Sequence, residues 1–189
     1  MGWTSYNATH YTRAGVIDRK AECDEAMTGA NEYGAWEVLK SCVRGSVYYA
    51  AVKRTQPTGE SYVFGAVCLT SVNSKDYFNF AYKDMSEDMH PFYYDCPASI
   101  LDLLTPTDSE SANEWRRRCR EHAENQNALG KLPIGAVIEY EIRGKIQRAQ
   151  KCAPAYQFKT PWWSIGPGYY IKKKDIPKNF TVVPATVTA

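Results

Sequence analysis

The stretch WEVLKSCVRGSVYYAAVKRT, residues 36–55, carries a strong β-strand pattern. It holds two runs rich in β-branched and aromatic residues, Trp36–Val43 and Ser46–Lys53, which are separated only by Arg44 and Gly45. Runs spaced this closely can be joined only by a tight hairpin, because two residues leave no room for a crossover. The stretch therefore predicts an antiparallel pair of strands.

The residues that follow extend this pair into a larger sheet. QPTGE at 56–60 is a turn sequence, because Pro and Gly supply the backbone angles that turns need. SYVFGAVCLTSV at 61–72 and KDYFNFAY at 75–82 then predict a third and a fourth strand. The first part of the chain is thus predicted to be an antiparallel β-meander.

Three helices are predicted beside the meander. Asp18 has the side-chain oxygen of an N-cap, and Thr107 with Glu110 matches a capping box, so each is expected to begin a helix. Acidic residues early in the longest helix and arginines late in it suit the helix dipole. The predicted spans are Arg19–Thr28, Ala98–Leu104 and 108–127.

From Lys131 onward the pattern changes to short strands. Five of them within about 50 residues predict a small β-barrel of the SH3-like type. They are AVIEYEI (136–142), KIQRAQKC (145–152), AYQFK (155–159), WWSI (162–165) and YYIKKKDI (169–176). The predicted fold class is therefore α+β, with a meander domain at 1–130, a barrel at 131–183 packed on it, and a tail at 184–189.

The net charge of +2 conceals an uneven distribution along the chain. Residues 131–189 hold ten basic and three acidic residues, whereas residues 84–114 hold eight acidic residues and no Lys or Arg. Such asymmetry favours a charged partner, either a nucleic acid or a host protein complex that binds nucleic acid. The acidic residues Asp84, Glu87, Asp88 and Asp95 are an alternative surface, suited to a partner's cationic groove.

The barrel is the stronger candidate for nucleic-acid binding, because cationic grooves hold phosphates and aromatic rings stack on bases. Lys172, Lys173 and Lys174 supply charge, and Trp162 and Trp163 supply rings. Adjacent strand residues point to opposite faces, so one tryptophan is expected in the core and the other outside it. In the alternative interpretation the aromatic residues build the core and the lysines only keep an edge strand soluble.

The arginine-rich segment WRRRCRE, residues 115–121, is a second candidate for binding. Arg116 and Arg120 are four residues apart and share one helix face. In the alternative interpretation this is a solvated helix whose arginines are neutralised by nearby glutamates and whose Trp115 and Cys119 face the core.

Catalytic motifs are scarce. His90 and Cys96 lie six residues apart in HPFYYDC and make a cysteine nucleophile with a histidine base conceivable, provided that their side chains meet in space. Asp84, Glu87 and Asp88 lack the spacing of a calcium loop, and no zinc-type spacing of Cys and His occurs. No metal or cofactor is expected.

Localisation follows from what the sequence lacks. No window approaches 18 uninterrupted apolar residues, and the start MGWTSYNATHY has no apolar core of a signal peptide. The six cysteines are scattered and are expected to be reduced. A cytoplasmic protein without membrane association, a monomer or a dimer, is predicted.

Several strings together resemble a family of unknown function found in phages, plasmids and gut bacterial genomes. They include MGWTSYNATHY at the start, DYFNFAYKDMSEDMHP at 76–91 and CPASILDLLTPTD at 96–108. The resemblance implies a small cytoplasmic protein of mobile elements, of the kind that includes host-takeover factors and inhibitors of CRISPR effectors. The primary hypothesis is thus a non-catalytic binding protein that acts on nucleic acid or a nucleoprotein, and the alternative is a small hydrolase or transferase that uses Cys96 and His90.

Overall fold

The computed structural model describes residues 2–74, 76–81 and 86–183. Two compact units make up the chain, Met1–Arg120 (the first unit) and Glu121–Ala189 (the second unit). Each described unit contains one antiparallel sheet, and three α-helices occur beside the sheets. The expected mixture of helices with antiparallel sheets is confirmed at this level, whereas the predicted tail at 184–189 lies outside the described residues.

The first unit is built on a six-stranded sheet with the order β1-β6-β5-β4-β3-β2. The predicted hairpin is present as β3 and β4, with Arg44 opposite Val47 across its turn. The short strands β1 and β2, which the sequence did not predict, form the two edges of the sheet. The bounds are β1 Trp3–Asn7, β2 Gly29–Asn31, β3 Gly34–Arg44, β4 Val47–Thr55, β5 Ser61–Ser74 and β6 Tyr77–Ala81.

Strand β4 is central, and its residues 47–52 are all buried. A half-exposed strand would alternate, so a continuous buried run means that both faces of the sheet are covered. On one face, Tyr48 donates a hydrogen bond to Asp24 (2.7 Å), which lies in the helix Arg19–Ala26. The hydroxyl of Tyr49, on the other face, accepts one from the amide of Asp95 (3.3 Å).

This sheet also curls. The edge strands β1 and β2 are at opposite ends of the strand order, yet both line one pocket of about 760 Å³. Residues of the two edges can share a pocket only if the sheet bends back on itself. Tyr6, Trp36 and Phe80 are the large side chains in the lining.

The helices are α1 Arg19–Ala26, α2 Ala98–Leu101 and α3 Glu110–Lys131. Asp18 caps α1 as predicted, accepting from the amides of Lys20 and Ala21. The expected cap at Thr107 is replaced by Ser109, whose hydroxyl accepts from the amide of Ala112 at 3.3 Å.

Helix α3 also runs past its predicted end. It continues through Gly130 to Lys131, because the ammonium of Lys151 donates to the carbonyls of Leu129, Gly130 and Leu132. These carbonyls lie where a helix has no intrahelical donors left, so the lysine takes the role expected of a C-terminal glycine.

The second unit contains a five-stranded sheet with the order β10-β9-β8-β7-β11. Two predictions for this region are wrong. AYQFK is a tight turn closed by paired hydrogen bonds between Ala155 and Phe158, and the strand within YYIKKKDI ends at Ile171, before a 3-10 turn at Lys173–Asp175. The strands are β7 Val137–Ile142, β8 Lys145–Cys152, β9 Trp162–Gly166, β10 Tyr169–Ile171 and β11 Phe180–Val183.

Candidate functional site

The second unit has a cleft in which aromatic rings and lysines meet. A pocket of about 610 Å³ is continued by a neighbouring one of about 370 Å³, and the two share Phe158, Trp162 and Tyr170. Together they form what we call the aromatic–lysine cleft. Its other aromatic and basic lining residues are Tyr156, Trp163, Tyr169, Lys151, Lys172 and Lys173.

The hairpin of β9 and β10 positions the two tryptophans. Trp163 is 1% exposed and packs in the core of the second unit with Leu129 and Ile138. Trp162 is half-buried on the opposite face, as the alternation of side chains along a strand predicts. Its indole Nε1 donates to the carbonyl of Ala153 at 2.9 Å, which fixes the orientation of the ring.

Phe158 and Tyr170 complete an aromatic cluster around Trp162. The rings of Phe158 and Trp162 stack with centroids 4.8 Å apart and an interplanar angle of 20°. Tyr170 meets Phe158 edge to face at 4.9 Å. Offset stacking and edge-to-face contacts are the arrangements that aromatic quadrupoles favour, so the rings hold each other in place.

The cleft also exposes more ring surface than a core needs. Tyr170 of the cluster is exposed, and so are Tyr156 and Tyr169 beside it. A contiguous exposed aromatic patch on a small unit is typical of a binding surface, because isolated exposed rings are common but clusters are not.

Of the lysines in and next to the cleft, Lys151 is used by the fold, whereas Lys172 and Lys173 of the cleft and the neighbouring Lys174 are not. Lys151 is buried and its ammonium satisfies the end of α3. Lys172 and Lys174 are exposed, and Lys173 is half-buried. Among the described residues none of these three has a side-chain hydrogen bond or an ion pair.

Lys173 carries an unfavourable charge in this setting. Burial lowers the pKa of its ammonium, and the positive charge of Lys151 lowers it further. An anion beside Lys173 would offset both effects, because opposite charge favours the protonated form. The cleft therefore combines fixed aromatic surfaces with cationic groups that suit a negatively charged ligand.

Arg116 has a structural role and is not available at the surface. It is 8% exposed, and its guanidinium binds the carboxylate of Glu87 through Nε (2.6 Å) and Nη2 (2.7 Å). The third group, Nη1, donates to the carbonyl of Thr105 at 2.8 Å. Glu87 also accepts from the amide of Gly65, where an added Cβ would lie only 2.9 Å from the ring of Trp115.

The remaining arginines of this segment have acidic partners. Arg117 and Arg118 both bind Glu114, at 2.8 and 2.6 Å, and Arg120 lies 3.7 Å from Asp102. Trp115 and Cys119 are buried, which confirms their predicted orientation towards the core. Arg116 and Arg120 therefore do not form the expected shared binding face, because only Arg120 is at the surface.

The proposed acidic surface is also reduced. Glu87 was predicted to lie at the surface, and this prediction is wrong. Its side chain is buried because it pairs with the buried guanidinium of Arg116. Asp95 pairs with Arg44, and Asp88 is exposed. Asp84 lies outside the described residues.

His90 and Cys96 make no hydrogen bond with each other in the described part of the chain. His90 is exposed and its Nε2 lies 3.0 Å from the hydroxyl of Ser111. Cys96 is buried, and burial raises the pKa of its thiol far above the ordinary range. A thiol that stays protonated is a poor nucleophile, so this pair does not support the hydrolase alternative.

Sequence reasoning did not single out two groups of residues. Phe158 and Tyr170 belong to the cleft, and the sequence placed them only among the aromatic residues of the predicted barrel. In the first unit His10, Glu22 and Glu25 bring three metal-binding atoms within 4.8 Å of one another. The sequence pattern that could have indicated this second group is the spacing Glu-x-x-Glu in a capped helix, which places both carboxylates on one face.

Searches of family models, curated proteins and solved structures gave no significant match to this chain. Within the described residues, no helix is both long enough and apolar enough to cross a membrane. All six cysteines are described, and each is a free thiol.

Proposed function

We propose that this chain is a non-catalytic binding protein whose second unit holds single-stranded nucleic acid in the aromatic–lysine cleft. The observation that carries the proposal is the stacked pair of Phe158 and Trp162 beside Lys172 and Lys173, two cations that have no acidic partner among the described residues. Bases stack on fixed rings whatever their identity, and phosphates need positive charge within reach. The cleft offers both within one continuous surface.

The lysines favour single-stranded nucleic acid over other ligands that bind to aromatic clefts. Methylated lysine prefers aromatic cages, but a cationic ligand would be repelled by Lys172 and Lys173. Proline-rich peptides dock on aromatic grooves without any need for an anionic group, so they leave the lysines unused. A polyanion with flat bases uses both features of the cleft.

The fold of the second unit is proposed to be an SH3-like barrel. Strands β7 to β10 form a meander and β11 returns to pair with β7, which supports this assignment. The 3-10 turn Lys173–Asp175 before the last strand is a further supporting feature. Small barrels of this kind are common carriers of binding sites, although the fold alone does not specify a function.

The proposed setting is a cytoplasmic protein of a phage or another mobile element that acts on nucleic acid or on a host nucleoprotein. The support is the sequence resemblance to a phage and plasmid family together with the charge of the cleft. An inhibitor of a host defence system, such as a CRISPR effector, fits this setting because such effectors expose single-stranded nucleic acid in cationic channels.

Fluorescence anisotropy with labelled single-stranded DNA and RNA of about 15 nucleotides, near the upper site size of a small barrel, tests the proposal. Duplex DNA of equal length is the comparison. We expect binding to the single strands that is stronger than binding to the duplex and that weakens as salt rises. Absence of binding at low salt, or equal binding to the duplex, would contradict the proposal.

A pull-down from host lysate, with and without nuclease, then separates the two forms of the proposal. Partners that disappear after nuclease treatment are bridged by nucleic acid. Partners that remain are bound as proteins, which would favour a direct inhibitor of a nucleoprotein.

A further inference from the structure

The first unit contains a group of polar side chains that the proposed function does not use. Helix α1 carries Glu22 and Glu25 three residues apart, and therefore on one face. The segment Ala8–His10, which follows β1, crosses this face and is held there by Glu22. The carboxylate oxygen Oε1 of Glu22 accepts from the amides of Thr9 (2.6 Å) and His10 (2.5 Å).

Four donor atoms converge at this place. The Nδ1 atom of His10 lies 3.5 Å from Oε1 of Glu22 and 3.5 Å from Oε2 of Glu25. The hydroxyl oxygen of Thr9 lies 3.0 Å from Nδ1 of His10, 3.5 Å from Oε1 of Glu22 and 3.3 Å from Oε2 of Glu25. The sixth separation, between the two carboxylates, is within 4.8 Å.

These separations match the edges of a metal coordination tetrahedron. Ligand atoms about 2.1 Å from a zinc ion at tetrahedral angles are about 3.4 Å apart. Five of the six separations lie between 3.0 and 3.5 Å, so a small cation fits among the atoms with little movement of the side chains.

An independent observation shows that Glu22 is incompletely paired. Its side chain is 0% exposed, and the backbone amides that bind it both donate to Oε1, so that its second oxygen, Oε2, receives no amide hydrogen bond among the described residues. A buried carboxylate that is incompletely paired is costly, and a bound cation offsets that cost. Tyr6 faces the same carboxylate; burial raises the pKa of its phenol, and the negative charge of Glu22 and a hydrogen bond to Glu22 raise it further.

We propose that His10, Glu22 and Glu25 bind a divalent transition-metal ion, with the hydroxyl of Thr9 beside it. One imidazole and two carboxylates form a nitrogen and oxygen donor set that suits Zn²⁺. Mg²⁺ is disfavoured because it takes oxygen ligands in an octahedral geometry and loses water reluctantly. The ion would tie the segment after β1 to helix α1, and this site is separate from the aromatic–lysine cleft and does not depend on it.

Titration of the full chain with Zn²⁺ alone tests the site, by calorimetry and by the change in melting temperature. We expect one equivalent to bind and to raise the melting temperature, because a ligand that binds only the folded state stabilises it. Mg²⁺ at equal concentration should not do so. Since free cysteines also bind zinc, Co²⁺ is a second probe: a nitrogen and oxygen site gives visible d–d bands without thiolate charge-transfer bands.

Two variants remove ligands that are partly or largely exposed, so that folding is preserved. Glu25→Gln and His10→Ala should each lower Zn²⁺ affinity at least about tenfold, since even outer-shell changes cost that much. Their side chains are 66% and 40% exposed. The matched controls Glu32→Gln and His90→Ala, at exposed residues outside the group, should bind as the unchanged protein does.

Each outcome decides the proposal. The proposal is supported if both ligand variants lose the bound equivalent of Zn²⁺ and both controls keep it. Failure of the unchanged protein to bind Zn²⁺, binding that survives in Glu25→Gln and His10→Ala, or thiolate bands with Co²⁺ would overturn it.

Discussion

The two most basic segments of the chain differ in what their charges meet. In helix α3 the arginines have acidic partners: Glu87 for Arg116, Glu114 for Arg117 and Arg118, and Asp102 for Arg120. In the aromatic–lysine cleft, Lys172 and Lys173 have no acidic partner within the described residues. Two segments that are both rich in basic residues therefore differ in pairing: the arginines are neutralised within the fold, and Lys172 and Lys173 are not neutralised by any described residue.

The difference shows that positive charge predicts binding only where it is not already neutralised. An arginine in a bidentate pair has its donors and its charge engaged within the fold. A lysine beside another lysine has no such internal partner, and an external anion stabilises its charged form.

The largest effect is expected from the buried pair of Arg116 and Glu87. Arg116→Ala should reduce the free energy of unfolding by about 3–5 kcal/mol, because it leaves a buried carboxylate unpaired. Urea or thermal unfolding measures this. The double variant Arg116→Met with Glu87→Gln should be less destabilised than Arg116→Ala, since neither charge remains; an equal or greater destabilisation would show that the unpaired carboxylate is not the source of the cost.

Replacement of the half-buried tryptophan of the cleft comes next. Trp162→Ala should weaken binding to single-stranded nucleic acid by about 1–3 kcal/mol, which is the value of one base stacked on a ring. Trp162→Phe should recover part of that affinity. Tyr33→Ala, which removes an exposed ring of the first unit, is the matched control and should leave the affinity measured by anisotropy unchanged.

A triple change tests the unpaired lysines directly. Lys172→Ala, Lys173→Ala and Lys174→Ala together should flatten the dependence of log affinity on log salt by roughly 0.7 for each phosphate that the lysines would otherwise neutralise. The comparison is the triple change of Arg117, Arg118 and Arg120 to Ala, which should leave the slope as it is. If the arginine variant flattens the slope and the lysine variant does not, the comparison between the two segments is wrong.

The smallest effect concerns the protonation of Lys173 alone. Its pKa in the folded protein is below the ordinary 10.5, so the unfolded state binds more protons between these two values. The stability of the protein relative to Lys173→Met should therefore rise as pH increases through that window. Affinity for nucleic acid should fall in the same window, because the cation is neutralised, and Lys173→Met should show neither trend.

Local patterns were sufficient for much of the fold. The hairpin of β3 and β4 follows from two β-rich runs with two residues between them, and α1 follows from the cap at Asp18. One prediction failed because a distant side chain changed a local outcome: Lys151 extended α3 past Gly130. Another failed for a local reason, because backbone hydrogen bonds between Ala155 and Phe158 closed a turn where a strand had been expected.

The candidate sites show the same division. The chain by itself determined that the second unit would be basic and aromatic and that Trp162 and Trp163 would face opposite sides, since these depend on composition and on strand geometry. The burial of Arg116 against Glu87 and the approach of His10 to Glu22 and Glu25 depend on how the folded chain packs. Those contacts join residues far apart in sequence, and their free energy depends on desolvation, which no local pattern records.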